Sequence, residues 1–105
     1  MATVIQSKQQ LQGLFNEMWA VKETVDFGNA ATGSGTFATA DVTVPNVALG
    51  DIVMGVSAGV DTVDAVIAGA VTAANTVTLT LMNNTAGAVD LASTTVKFLV
   101  GRPNW

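Results

Sequence analysis

The chain contains few side chains that could carry out chemistry. Its 105 residues include no histidine, no cysteine and no tyrosine. These absences remove the most common general base at neutral pH, the thiolate nucleophile and the usual zinc ligands. They also exclude a Ser-His-Asp triad and any disulfide bond. Catalysis or metal binding would therefore depend on carboxylates and hydroxyls.

Three aspartates are the acidic candidates: Asp51, Asp61 and Asp64. Calcium takes about six to eight oxygen ligands, and the spacing of Asp61 and Asp64 lacks the dense acidic run that supplies them. Two carboxylates working as acid and base would need a buried partner. We interpret Asp61 and Asp64 as exposed, and Asp51 as a turn or capping residue. A carboxylate-dependent hydrolase is the weakest hypothesis, and we predict no enzyme activity, no catalytic or metal site and no cofactor.

Three other motifs have simple structural explanations. Gly33-Ser34-Gly35 lacks the lysine and the following helix of a phosphate-binding loop. Asn83-Asn84-Thr85 matches the glycosylation motif, but the N-terminus does not predict a secretory signal. Thr76, Thr78 and Thr80 alternate along one segment and could form a flat sugar- or ice-binding surface. The solvent-facing side of a strand explains them more simply.

Residues 1–27 predict a helical arm. Ser7 suits the N-cap position. Apolar side chains then follow with the i, i+3, i+4, i+7, i+8 spacing of an amphipathic helix, at Leu11, Leu14, Phe15, Met18 and Trp19. A helix of about 12–16 residues is marginal alone in water, so we expect it to dock on another surface. That surface could be the chain's own β domain or, equally, a neighbouring subunit or a host protein.

Residues 28–35 predict a flexible joint, and residues 36–105 predict a β domain with a C-terminal tail. The clearest strand is 76–81, where valine and leucine alternate with threonine. Asn75 predicts the turn of a hairpin that ends in this strand. Alternating segments occur at 36–44, 52–56, 62–72, 76–81 and 93–100. Five or six such strands predict a small antiparallel β-sandwich or barrel.

The charge content restricts the partners. Charged residues make up 11% of the chain, against about 25% in an ordinary soluble domain, and the net charge is −4. A surface with so few charges predicts partial coverage by other subunits. A negative chain with four scattered basic residues is not expected to bind nucleic acid. Because no apolar run reaches about 20 residues, we predict no transmembrane helix and no membrane partner.

Three segments of the β part resemble small virion proteins of tailed bacteriophages. The first is Leu49-Gly50-Asp51-Ile52-Val53, and the second is the run VTAANTVTL at 71–79. The third is NNTAGAVDLAS at 83–93, which precedes a β-rich final strand. The pattern covers residues 48–100, about half of the chain, and consists of turns and strand alternation. The N-terminal arm is not part of it, and none of the matched residues carries chemistry.

The resemblance implies a head decoration (cement) protein, which binds the assembled phage head at capsomer junctions and stabilises it. Such a protein would be a homotrimer on the capsid surface, made in the host cytoplasm. Its partners would be the major capsid protein and its own copies. The alternative is a tail-fibre or spike module that binds a host receptor or glycan. The scarcity of aromatic residues and the absence of tyrosine disfavour that alternative.

Two segments are predicted to contact neighbouring copies or the capsid, namely the arm and the tail. Tryptophan and arginine are enriched among the residues that contribute most to protein interfaces. The predicted contact residues are Leu11, Leu14, Phe15, Met18, Trp19, Arg102 and Trp105.

Overall fold

The computed structural model describes residues 3–7, 14–30, 36–62, 65–83, 87, 89–91 and 93–105. Within these ranges the chain forms β-strands, and none of the described residues is helical. The prediction of a mainly β protein with antiparallel sheets is therefore confirmed. The strands are β1 (Thr3–Ser7), β2 (Phe15–Val25), β3 (Asn29–Ala30), β4 (Thr36–Thr43), β5 (Ile52–Ala58), β6 (Val66–Ala73), β7 (Thr76–Asn83), β8 (Val89–Asp90) and β9 (Thr94–Pro103).

Most of these strands belong to two sheets. The four-stranded sheet has the order β1-β2-β9-β5, and the three-stranded sheet has the order β4-β7-β6. β3 and β8 form a separate short pair. Every paired strand is antiparallel to its neighbour. Two strands that are distant in sequence, β2 and β9, therefore form the centre of the four-stranded sheet.

The predicted N-terminal helix is wrong. Phe15, Met18 and Trp19 lie in β2, which pairs with β9 along its whole length. Ser7, predicted as the N-cap, lies in β1 and is the ladder partner of Met18. Leu11, the first residue of the predicted helical stripe, lies outside the described residues.

The apolar spacing of β2 resembles that of a helix because both faces of this strand carry apolar side chains. Trp19, Val21 and Val25 are buried on the inner face, while Met18 and Ala20 are half-buried on the outer face. Adjacent apolar residues fit a helical stripe as well as they fit a strand that is apolar on both sides. Pairing with β9 decides between the two, and pairing between distant segments does not appear in local periodicity.

The strands predicted at 36–44, 52–56, 76–81 and 93–100 correspond to β4, β5, β7 and β9 within a few residues. The strand predicted at 62–72 corresponds to β6, although Thr62 precedes it and residues 63 and 64 lie outside the described part. The division into 1–27, 28–35 and 36–105 stays a prediction. Pairing of β2 with β9 joins residues of the first and last of these segments in one sheet.

Asn75, predicted as a turn residue, and Asn46 lie where two turns meet. Asn46 and Asn75 have φ values of 76° and 62°, in the left-handed region that asparagine tolerates. The Asn46 backbone N–H donates to the Asn75 side-chain oxygen at 2.7 Å. The Asn75 backbone N–H donates to the Val47 carbonyl at 2.9 Å, and Val44 donates to the Asn75 carbonyl. The β6–β7 hairpin turn is therefore fastened to the loop that follows β4.

The inner faces of both sheets contribute to one hydrophobic cluster. The four-stranded sheet supplies Trp19 and Phe98, and the three-stranded sheet supplies Leu79 and Leu81. The two sheets lie close together at Gly69 of β6, where an added Cβ would lie 2.9 Å from a methyl group of Val53 in β5. With this core filled, the other face of each sheet remains accessible.

Candidate functional site

Trp19 is part of the core rather than an exposed anchor. Its side chain is fully buried, and its indole Nε1–H donates to the Pro45 carbonyl oxygen at 3.1 Å. This bond satisfies the one polar atom of the side chain. In this structure Trp19 joins β2 to the loop that follows β4.

Arg102 is held at several points on the inner side of β9. Its Nε donates to Asp51 Oδ1 at 3.1 Å and its Nη2 donates to Asp51 Oδ2 at 2.9 Å, a bidentate arrangement. Nη1 lies 3.4 Å from Glu17 Oε2, and Nη2 donates to the Asn46 carbonyl at 2.8 Å. The guanidinium carbon lies 5.2 Å from the ring centroid of Trp19, within cation–π range.

The surroundings of Arg102 keep it charged and in place. The hydrogen bond to Asp51 raises the pKa of Arg102 above its ordinary value, against a smaller opposing effect of burial. Asp51 also accepts a hydrogen bond from the Ala48 backbone N–H at 2.9 Å, which confirms its predicted role in the turn. Arg102 therefore fastens the end of β9 to the loop before β5 and to β2.

Three of the predicted contact residues, Leu14, Phe15 and Trp105, lie next to one another, and we call them the aromatic end. Leu14 and Trp105 are exposed, and Phe15 is half-buried. The rings of Phe15 and Trp105 are tilted by 59° with centroids 5.8 Å apart. The Asn104 backbone N–H donates to the Leu14 carbonyl at 2.7 Å, and Trp105 is 77% exposed.

The aromatic end continues onto the outer face of the four-stranded sheet. A β-bulge between Phe15 and Glu17 shifts the register, and Phe15 lies against Gly101. A Cβ added at Gly101 would lie 2.7 Å from a ring carbon of Phe15 and 3.0 Å from the methyl group of Met54. The absence of a side chain at Gly101 therefore lets these two apolar side chains pack onto the sheet. Met18, the ladder partner of Gly101, is half-buried.

A groove of about 590 Å³ crosses the same face, and we call it the outer groove. Ala20 pairs with Ile5 on one side and with Leu99 on the other, so a small side chain lies between two large ones. Ile5 is 66% exposed and Leu99 is 44% exposed. The groove is lined by Thr3, Ile5, Ala20, Val21, Lys22, Met54, Gly55, Lys97, Phe98 and Leu99.

Two lysines face each other at one side of the outer groove. Lys22 and Lys97 are direct partners in the β2–β9 ladder, and both side chains are exposed. Within the described part of the chain, the ion pairs formed by basic side chains are those of Arg102 with Glu17 and Asp51. A second, more polar depression of about 370 Å³ shares both lysines.

The outer face of the three-stranded sheet has a second apolar feature, which we call the apolar row. Phe37, Met82 and Val66 are ladder partners across β4, β7 and β6. Phe37 is 63% exposed and Met82 is 43% exposed. The row spans all three strands near one end of the sheet.

The predicted threonine row does not present a set of free hydroxyls. Thr78 donates to Asp41 Oδ1 at 2.7 Å, and its hydroxyl lies 2.8 Å from that of Thr72. Thr76 donates to the Ala74 carbonyl at 3.3 Å. These bonds are made within the three-stranded sheet and its hairpin turn.

The described residues form no group of three or more acidic side chains that could hold a metal ion. Asp61 is exposed, Asp51 is bound by Arg102, and Asp64 lies outside the described part. The described residues include no membrane-spanning helix.

The predicted contact residues do not include Ile5, Ala20 or Leu99, which form the outer groove. The signal is present in β9, where Phe98 and Leu99 are adjacent large apolar residues. Because successive side chains of a strand face opposite sides, one of the two must face outwards.

No family model matches the chain, and no curated protein or solved structure is detectably similar to it.

Proposed function

We propose that this chain is a structural virion protein that decorates the assembled head of a tailed phage. The observation that supports this most is the pair of exposed apolar surfaces, one on the outer face of each sheet. Contiguous exposed apolar surface on a soluble protein indicates a contact with another molecule. The resemblance of residues 48–100 to virion proteins supports a phage head as the molecule contacted.

We further propose that the two sheets form a small β-sandwich that assembles as a homotrimer. The apolar row is suited to contacts between copies, because Phe37, Met82 and Val66 carry no charge. The outer groove and the aromatic end are suited to the head surface. A trimer presents three such surfaces at once, and simultaneous binding raises the affinity of the assembly above that of one copy.

The stabilising effect on the head follows from mass action. A protein that binds the closed shell and not its dissociated subunits lowers the free energy of the closed shell. The contacts around Arg102 hold the end of β9 against β2 and the loop before β5, so the aromatic end is supported by fixed neighbours. Such preorganisation reduces the ordering cost of binding.

Co-sedimentation with purified heads that lack this protein tests the proposal. We expect the wild-type chain to sediment with heads, to reach a saturating number of copies per particle, and to raise the temperature at which the heads open. Absence of saturable binding would contradict the proposed function. Binding to a glycan array without binding to heads would favour the tail-fibre or spike alternative.

A further inference from the structure

We infer that the outer groove binds an extended segment of a partner protein that carries both apolar and acidic side chains. For the identity of the partner, a head protein, this inference rests on the proposed function. The side chains of the groove alone determine the chemistry of the segment.

The apolar part of the outer groove is one cross-strand row. Ile5, Ala20, Leu99 and Met54 are successive ladder partners across β1, β2, β9 and β5. Neighbouring strands are about 4.8 Å apart, so the row is about 14 Å long. An extended chain rises about 3.4 Å per residue, so the row accommodates about four residues of a bound segment.

The next row along the strands is basic and would bind the acidic side chains of the segment. Lys22 and Lys97 lie two residues from Ala20 and Leu99, about 7 Å along the sheet. Like charges placed directly opposite each other destabilise an antiparallel pair. A carboxylate from a partner would relieve this repulsion and form charge-assisted hydrogen bonds with both ammonium groups.

A second copy that docks through the same face does not meet this requirement. Its outer groove would bring two further lysines to the contact. The described residues that line the groove include no carboxylate, so a copy that docks face to face cannot supply one. Because the proposed function places contacts between copies at the apolar row, we expect the carboxylates to come from a different protein.

A titration with two synthetic peptides tests the chemistry directly. The acidic probe is N-acetyl-Leu-Leu-Glu-Glu-Leu-Leu-amide, in which each face of an extended chain carries both leucine and glutamate. The matched probe has lysine in place of both glutamates. We expect the acidic peptide to shift the amide NMR signals of 20–22, 54–55 and 97–99 with an affinity in the millimolar range. Raising the ionic strength from about 0.05 M to about 0.5 M should weaken this binding, because the charges involved are exposed.

Variants identify which side chains cause the binding. Lys22→Gln with Lys97→Gln should weaken acidic-peptide binding by about fivefold to tenfold, the loss of two exposed ion pairs. The control, Thr43→Glu with Ala74→Glu, produces the same net charge but lies at the hairpin end of the other sheet. It should leave the affinity almost unchanged. Leu99→Ser should weaken binding, whereas Met82→Ser, at an equally exposed position of the apolar row, should not.

Three results would overturn the inference. They are the absence of localised shifts, equal shifts with the basic peptide, and shifts centred on the apolar row instead of the groove. The same double-lysine and control variants are then compared for binding to heads. If the wild-type chain fails to bind heads, the proposed function fails, while the peptide titration still decides the chemistry of the groove.

Discussion

Arg102 is the residue that connects the end of β9 to the elements around it. Its guanidinium donates two hydrogen bonds to Asp51, whose side chain is only 5% exposed. Removing the guanidinium would leave that carboxylate without its main partner. A buried charged acceptor without a partner is destabilising.

Arg102→Ala is therefore expected to lower the free energy of unfolding by about 1–3 kcal/mol, the cost of leaving a buried acceptor unsatisfied. The measurement is the urea midpoint followed by circular dichroism. Lys97→Ala is the control. Because the Lys97 side chain is exposed, its removal should change the free energy of unfolding by no more than about 0.5 kcal/mol. Equal midpoints for the two variants would contradict the role assigned to Arg102.

The two tryptophans are in opposite environments, which gives a second prediction for single residues. In Trp105→Phe the remaining Trp19 is buried, so its fluorescence should be quenched weakly by acrylamide. In Trp19→Phe the remaining Trp105 is exposed, so quenching should be strong. Similar quenching in both variants would show that Trp19 is accessible, as a free helical arm would require.

At the scale of elements, the close approach of the two sheets at Gly69 sets a limit on side-chain size. An added Cβ would lie 2.9 Å from Val53 and 3.0 Å from Leu79, both of which pack in the core. Neither neighbour can move without disturbing the contact between β5 and β6. The sheets would have to separate slightly.

Gly69→Ala is expected to destabilise the protein by about 1–3 kcal/mol, the usual cost of overpacking a core. Gly87→Ala is the matched control, because an added Cβ there meets nothing within 4 Å and its φ is not positive. Thermal unfolding should show a lower midpoint for the first variant and an unchanged or slightly higher midpoint for the second. A neutral effect of Gly69→Ala would mean that the sheets are further apart than described.

The elements differ in how far local sequence determines them. β7 is predictable because threonine alternates with Val77, Leu79 and Leu81, and Asn75 supplies the turn before it. β2 is not predictable in this way, since its outer face also carries apolar residues, Met18 and Ala20. The Arg102–Asp51 bond joins residues 51 positions apart. No local pattern indicates such a pair, and the outer groove likewise exists only once β1, β2, β9 and β5 are aligned.

At the scale of the whole molecule, the described chain has extents of 44 × 26 × 22 Å and exposes apolar surface on both sheets. Under the proposed function, this apolar surface is covered in an assembly, in which copies of the chain contact one another through the apolar row. A chain with this surface and only 11% charged residues is expected to associate rather than remain a monomer.

Molar mass measured by light scattering on a size-exclusion column, over a range of concentrations, tests this claim most directly. We expect a stable trimer, about three times the 10.7 kDa chain mass, and a shift towards monomer when Phe37→Ser and Met82→Ser are combined. A folded monomer at every concentration, with or without the two substitutions, would contradict it.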